Sequence, residues 1–150
     1  MDSLTLDLNI ELKDVDTSMP RLESNTYLLG IKEVKIEPSK QGEGKRNLLV
    51  VFATKEEANS TAGGTISPGF QLRKYYPLQQ SPKENAPDFR RDISILIDAA
   101  FAVTAESRPD LTSDTLSGLV GREVVASVKV KQDDTYGEVN EIGMLKAVEG

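Results

Sequence analysis

Only one long stretch of this chain repeats its apolar residues at helical spacing, and this restricts the fold more than any other feature. The stretch covers residues 89–104, and its apolar stripe consists of Phe89, Ile93, Leu96, Ile97, Ala100 and Phe101. Asp88 comes just before it and is a residue type that caps helix N-termini. A second, short helix is predicted over residues 114–119, ending at Gly121. The remaining regular structure is therefore expected to be mostly β-strand.

Apolar residues in most of the remaining chain alternate with polar ones, which is the period of a β-strand. The first strand is predicted over residues 27–36, where the alternation changes phase near Gly30 and so indicates a β-bulge. Residues 47–54 are nearly all apolar, as is typical of a central strand covered on both faces. A third strand over residues 70–78 and a hairpin over residues 123–148 follow. The chain is therefore predicted to be mainly β with one principal α-helix.

Three strands, a helix and a closing hairpin follow one another in the order of a five-stranded OB-fold barrel, with the helix between strands 3 and 4. Other five-strand topologies share parts of this order. Residues 25–150 are assigned to the OB-fold domain, and the polar, glycine-rich residues 55–69 are predicted to be a long flexible connection. Residues 1–24 are assigned to an N-terminal strand or extension, because alternate positions in it are apolar. These positions are Leu4, Leu6, Leu8, Ile10 and Leu12.

The residue types that the chain lacks narrow its chemistry. There is no His and no Cys, so the usual general base near neutral pH and the strongest nucleophile are both missing. No EF-hand-like acidic motif occurs. We expect a non-catalytic protein without a metal or other cofactor.

Hydropathy indicates where the protein works. No apolar stretch approaches the length needed to cross a bilayer, and the first residues do not have the pattern of a signal peptide. We therefore expect no membrane association and a cytoplasmic location, in the host cell if the protein is viral.

Charge is distributed unevenly along the chain. The net charge is −6, and residues 1–24 carry six acidic side chains against two basic ones. By contrast, residues 32–55 carry six basic against three acidic, and residues 70–91 carry five against two. The two interior segments could attract phosphate on a protein that is acidic overall. A mixed, solvated surface would explain the same distribution.

Short motifs occur at both ends of the predicted domain. The opening motifs are Asn25-Thr26-Tyr27 and Ser39-Lys40-Gln41-Gly42-Glu43-Gly44, the latter preceding Asn47-Leu48-Leu49-Val50-Val51-Phe52. The closing motifs are Leu116-Ser117-Gly118-Leu119-Val120-Gly121-Arg122-Glu123-Val124 and Tyr136-Gly137-Glu138-Val139-Asn140-Glu141-Ile142. These motifs resemble those of phage single-stranded DNA-binding proteins, and the resemblance covers roughly residues 25–148. It implies an OB-fold that binds single-stranded DNA during phage replication or recombination.

The best candidate binding cluster is Arg73-Lys74-Tyr75-Tyr76 on the third strand, because single-strand binding needs cations for phosphates and flat rings for bases. Alternation puts Arg73 and Tyr75 on one face and Lys74 and Tyr76 on the other. We favour Arg73 and Tyr75 as ligand-facing, because Tyr76 is in phase with residues that look buried. Both tyrosines could instead cover the edge of the core.

OB-folds also bind through the loops that join strands 1–2 and 4–5, here about residues 37–46 and 132–136. The candidate residues are Lys40, Lys45 and Arg46 at the first loop, and Lys129, Lys131 and Tyr136 at the second. Ordinary hairpin turns with solvated lysines would have the same composition. Arg90 and Arg91 oppose the helix dipole in the predicted first turn, which indicates a charge role or a carboxylate partner.

Three functions are therefore open. The leading hypothesis is sequence-tolerant binding of single-stranded DNA, with self-association and replication or recombination proteins as further partners. The alternative is a viral structural or assembly β-barrel that binds other protein subunits. An enzyme that uses carboxylates such as Glu138 and Glu141 is the least favoured, because a solvated strand places acidic residues at the same spacing.

Overall fold

A five-stranded antiparallel sheet and two α-helices make up most of the computed structural model, which describes residues 8–13, 20–40, 42–135 and 137–149. The elements in chain order are β1 (Asn25–Pro38), β2 (Arg46–Thr54), β3 (Ala58–Asn59), β4 (Thr65–Ile66), β5 (Gln71–Pro77), α1 (Arg90–Phe101), α2 (Ser113–Leu119), β6 (Glu123–Asp133) and β7 (Gly137–Ala147). A short 3₁₀ turn, Ala105–Ser107, precedes α2. The prediction of a mainly β protein is confirmed.

The strands of the main sheet lie in the order β5-β2-β1-β6-β7. β1 bridges the two halves, because its first residues pair with β6 and its later residues pair with β2. The β1–β2 register shifts between Ile31 and Glu33, which confirms the bulge predicted near Gly30. Strand pairing does not close the sheet between its edge strands, β5 and β7. They are linked instead by Lys74, whose Nζ donates to the carbonyl of Ile142 at 3.2 Å.

β2 is buried on both faces from Leu48 to Phe52, as predicted. Leu48, Val50 and Phe52 point into the main core, while Leu49 and Val51 are buried on the opposite, outward face. Burial on both faces is typical of a central strand with neighbours on each side. The outward face of the sheet therefore has an apolar floor at β2.

α1 covers the core with the predicted apolar stripe, and it packs against β6 and β7. It begins at Arg90 with Phe89, not the predicted Asp88, at the N-cap position, and the Phe89 side chain makes no capping bond. The Asp88 carboxylate, one residue earlier, accepts the N–H of Arg90 at 3.0 Å. The predicted end at residue 104 is wrong. The helix ends at Phe101 because Ala102 adopts a left-handed conformation, with φ 54°.

The short second helix is confirmed as α2. The Thr112 side chain accepts the N–H of Thr115 at 3.2 Å and caps it. The chain turns after it at Gly121, where φ is +89°, a conformation that glycine adopts without steric cost.

The prediction of a flexible connection over residues 55–69 is wrong, because β3 and β4 form a small hairpin there. An isolated bridge pairs Ser60 with Leu22 and ties the hairpin to the chain before β1. The bridge joins residues far apart in sequence, so local polarity did not reveal this anchor.

Of the strand or extension predicted for residues 1–24, the strand is not found in the described residues 8–13. Residues 8–13 contain no strand, and Leu8, Ile10 and Leu12 are 75%, 72% and 69% exposed. Leu4 and Leu6 lie outside the described residues. Leu22 is fully buried in the core, and the Asn140 amide bonds its backbone N–H and C=O at 2.9 and 2.8 Å. The packed unit therefore includes residues before Asn25.

Candidate nucleic-acid interface

Arg73 and Tyr75 stand on the outward face of β5, above the apolar floor of β2. Tyr75 lies directly opposite Leu49, and Arg73 lies opposite Val51. Directly opposed residues of antiparallel strands project from the same face, so both side chains rise beside a buried apolar neighbour. Tyr75 is 50% exposed. The predicted outward orientation of this pair is confirmed, and its role in binding stays a prediction.

Two cavities meet at Tyr75. The first, the loop-side cavity, has a volume of about 300 Å³ and is lined by Glu37, Pro38, Ser39, Lys40, Asn47 and Tyr75. The second, the seam cavity, has a volume of about 370 Å³ and lies between β5 and the β6–β7 hairpin. It is lined by Arg73, Lys74, Tyr75, Lys131, Asp133, Val139, Asn140, Glu141 and Ile142. Tyr75 thus lines both cavities.

The three cations of the seam cavity differ in their availability to a ligand. Lys131 forms an exposed ion pair with Glu141, with 3.5 Å between Nζ and Oε2, and such pairs contribute little and exchange readily. Lys74 is half-buried and is held by the carbonyl of Ile142. The guanidinium of Arg73 has no ion-pair or hydrogen-bond partner among the described residues. Arg73 is therefore the cation most available to a phosphate here.

The loop-side cavity offers one cation and one amide. The carboxylate of Glu37 is paired with Lys35 at 3.1 Å. In the described part of the chain, the side chains of Lys40 and Asn47 have no partner. Both groups are therefore available to a ligand beside the ring of Tyr75.

Tyr76 belongs to the core, which corrects its inclusion among the ligand-contacting residues. It is 2% exposed, and its ring lies 5.5 Å from Nζ of Lys74. Burial, with a smaller contribution from Asp92, raises the pKa of its hydroxyl. Within the described residues this hydroxyl has no hydrogen-bond partner. A ring buried in this way cannot stack on a base.

Three further predicted residues, Lys45, Arg46 and Lys129, line neither cavity. Lys45 is half-buried, Arg46 is exposed, and the N–H of Arg46 donates to Oε1 of Gln79 at 2.9 Å. Lys129 is exposed on β6, two residues before Lys131. Tyr136 lies outside the described residues. Among the predicted residues that the structure describes, the two cavities are therefore lined by Arg73, Lys74, Tyr75, Lys40 and Lys131.

Residues that the sequence reasoning missed complete the lining, and Asn47 is the most informative. Asn47 is in phase with Leu49 and Val51, so strand alternation alone could have placed it on the outward face. Asn140 and Glu141 come from β7, and only the tertiary structure places them next to β5.

A larger cavity of about 580 Å³ lies beside α1 and contains three arginines. Its lining is Asp88, Arg90, Arg91, Ser94, Ile95 and Arg108. Arg90 pairs with Asp88 at 2.6 Å, and Arg108 pairs with Asp98 at 2.7 Å. Hydrogen bonds from these arginines lower the pKa of Asp88 to about 2 and also lower the pKa of Asp98. The carboxylate partner predicted for the first helical turn is confirmed for Arg90.

Comparison of the sequence with protein-family models and with curated proteins finds no match to either. Among the described residues, no group of three or more acidic side chains is arranged to hold a metal ion. No described helix is long and apolar enough to cross a membrane.

Proposed function

We propose that this protein is an OB-fold that binds single-stranded DNA without catalysing a reaction, on the outward face of β2 and β5. Two features support the fold assignment. The strands lie in the order β5-β2-β1-β6-β7 with a bulged β1 shared by both halves. The chain forms α1 between β5 and β6, the third and fourth strands of the main sheet. OB-folds are partly open five-stranded barrels, which agrees with the unpaired edges of β5 and β7.

The position of Tyr75 is the observation that carries the proposal. Its half-exposed side chain lines both cavities, one beside the β1–β2 loop and one beside the β6–β7 loop. OB-folds bind oligonucleotides on the second and third strands and with these two loops. A ring at this position can stack on a base of any identity, so sequence-tolerant binding follows.

Phosphate contacts are expected to be few. The seam cavity combines three cations with the carboxylates of Asp133 and Glu141, and the loop-side cavity has Lys40 and Glu37. With two or three contacts, the slope of log affinity against log salt should be roughly −1.5 to −2. Base stacking, worth roughly 1–3 kcal/mol per base, should then dominate the affinity.

The test is fluorescence anisotropy of a labelled oligo-dT with the purified protein, at low and high salt, with duplex DNA as competitor. We expect salt-sensitive binding that an equal concentration of duplex does not displace. Absence of binding even at low salt would refute the proposal.

The same proposal includes a role in phage replication or recombination, contacts with proteins of those processes, and a cytoplasmic location in the host cell.

The exposed apolar residues Leu8, Ile10 and Leu12 favour a second candidate, a structural or assembly protein that binds other subunits. Exposed apolar side chains grouped in one segment are typical of protein-binding sites. Light scattering after size-exclusion chromatography distinguishes the candidates. A large closed assembly that binds no DNA would favour this second function.

A further inference from the structure

We propose that the loop-side cavity is a subsite for one base, which stacks against Tyr75 while the amide of Asn47 bonds its edge and Lys40 contacts the adjacent phosphate. This inference rests on the proposed function and deepens it, since it assigns a role to a residue outside the aromatic and basic cluster.

The position of Asn47 in the sheet supports this role. Asn47 pairs with Pro77 of β5, and Leu49 pairs with Tyr75. Asn47 and Leu49 project from the same face because they are two residues apart on one strand. Asn47 is therefore the diagonal neighbour of Tyr75 on the outward face, a separation that long side chains can span.

The amide of Asn47 is available to a ligand. Its side chain is half-buried and lines the cavity. The neighbouring carboxylate, Glu37, is already paired with Lys35 at 3.1 Å, and among the described residues no group bonds the Asn47 amide. By contrast, the amide of Asn140 in the seam cavity is occupied by the backbone of Leu22. Of the two asparagines that line the loop-side and seam cavities, Asn47 is thus the one whose amide is available to a ligand.

A side-chain amide can form hydrogen bonds with the edge of a base, whichever base it is. A carboxamide presents an acceptor and a donor side by side, and unstacked bases expose adjacent donors and acceptors on their edges. Rotation of the amide exchanges the donor and acceptor positions, so different bases can be accommodated. The cavity of about 300 Å³ is at the lower end of the roughly 300–1,000 Å³ range of ligand sites. This size favours one base.

The experiment combines a substitution in the protein with the removal of a base from the DNA. The shortest oligo-dT that binds the wild-type protein with full affinity fixes the register, and variants of it carry one abasic site at each position in turn. Affinities are measured for the wild-type protein, Asn47→Ala, Tyr75→Ala and the control Asn59→Ala. Asn59 is an exposed asparagine in the β3–β4 hairpin and lines neither of the two cavities.

We expect Asn47→Ala to weaken binding of intact oligo-dT about threefold to tenfold, as for one net hydrogen bond, and Asn59→Ala to leave it unchanged. At one position, the abasic site should weaken binding to the wild-type protein by a larger factor than it weakens binding to Asn47→Ala. The proposed subsite would be overturned if the abasic site weakened binding to the wild type and to Asn47→Ala by the same factor at every position. It would also be overturned if Asn47→Ala bound intact oligo-dT as tightly as Asn59→Ala does. If Tyr75→Ala still weakened binding in that case, the proposed function would stand. No binding by the wild-type protein would overturn both.

Discussion

The two faces of β5 carry the same pair of side chains, a cation and a tyrosine, in opposite surroundings. On the outward face Tyr75 is 50% exposed, and Arg73 has no partner among the described residues. On the inward face Tyr76 is 2% exposed, and Lys74 is tied to the carbonyl of Ile142. The two pairs have the same composition. Which side chain can contact a ligand depends on the face of the strand that it occupies and on whether its polar group is already hydrogen-bonded.

The largest expected effect concerns the inward face. Tyr76→Ala should lower the free energy of unfolding by about 3–5 kcal/mol, as for truncation of a large aromatic in a core. Tyr76→Phe keeps the ring and removes a buried hydroxyl without a described partner, so it should be neutral or stabilise by about 1 kcal/mol. Urea denaturation measures both variants. A marked loss of stability in Tyr76→Phe would show that the hydroxyl has an important partner.

The outward face should respond in binding and not in stability. We expect Tyr75→Ala to weaken oligo-dT binding by roughly 1–3 kcal/mol, which is about fivefold to 150-fold. Tyr75→Phe preserves the stacking surface and should bind nearly as well as the wild type. Anisotropy gives the affinities, and thermal melting provides the control. If Tyr75→Ala lowered the melting temperature strongly and left binding unchanged, the ring would be structural and the two faces would not differ as described.

The arginines of the two regions differ in the same way, because Arg90 and Arg108 beside α1 are paired with carboxylates. Arg73→Gln should reduce the magnitude of the log–log salt slope by about 0.7, the loss of one phosphate contact on a single strand. Arg90→Gln is the matched control, since Arg90 is engaged by Asp88 at 2.6 Å, and its slope should equal that of the wild type. If a salt titration showed a reduced slope for Arg90→Gln and an unchanged slope for Arg73→Gln, the phosphate contacts would lie beside α1 instead.

The smallest expected effect is the pH dependence of the ion pair at α1. Because Arg90 lowers the pKa of Asp88 to about 2 in the folded state, this pair stabilises the fold above the ordinary pKa near 4. The contribution should be lost as the pH falls from about 4 to 2. NMR titration of the carboxyl carbons should show the pKa of Asp88 returning toward its ordinary value in Arg90→Gln. An unchanged pKa in that variant would mean that Arg90 does not neutralise Asp88.

Features set by local sequence were predictable, and those set by contacts between distant segments were not. Alternation along β5 placed Tyr75 outward and Tyr76 inward, and the phase change near Gly30 located the bulge of β1. The β3–β4 hairpin was missed because its anchor is Leu22, nearly forty residues earlier. The end of α1 was missed because the left-handed turn at Ala102 has no glycine to signal it.

The candidate site was only partly predictable for the same reason. Arg73, Tyr75 and Lys40 could be found as basic and aromatic residues near a strand and a loop. The pairing of Lys131 with Glu141 depends on the register between β6 and β7. The hydrogen bond from Lys74 to Ile142 depends on the approach of β7 to β5. Sequence alone therefore could not tell an available cation from an engaged one.

Binding of single-stranded DNA on the outward face of β5 can be tested by NMR mapping. Backbone amide shifts of the ¹⁵N-labelled protein are followed as oligo-dT is added. We predict the largest shifts at Arg73, Tyr75 and Asn47, with shifts near Lys40 and Lys131 and none around Arg90 and Arg108. Shifts concentrated at α1, or no shifts at saturating oligonucleotide, would contradict binding on the outward face of β5.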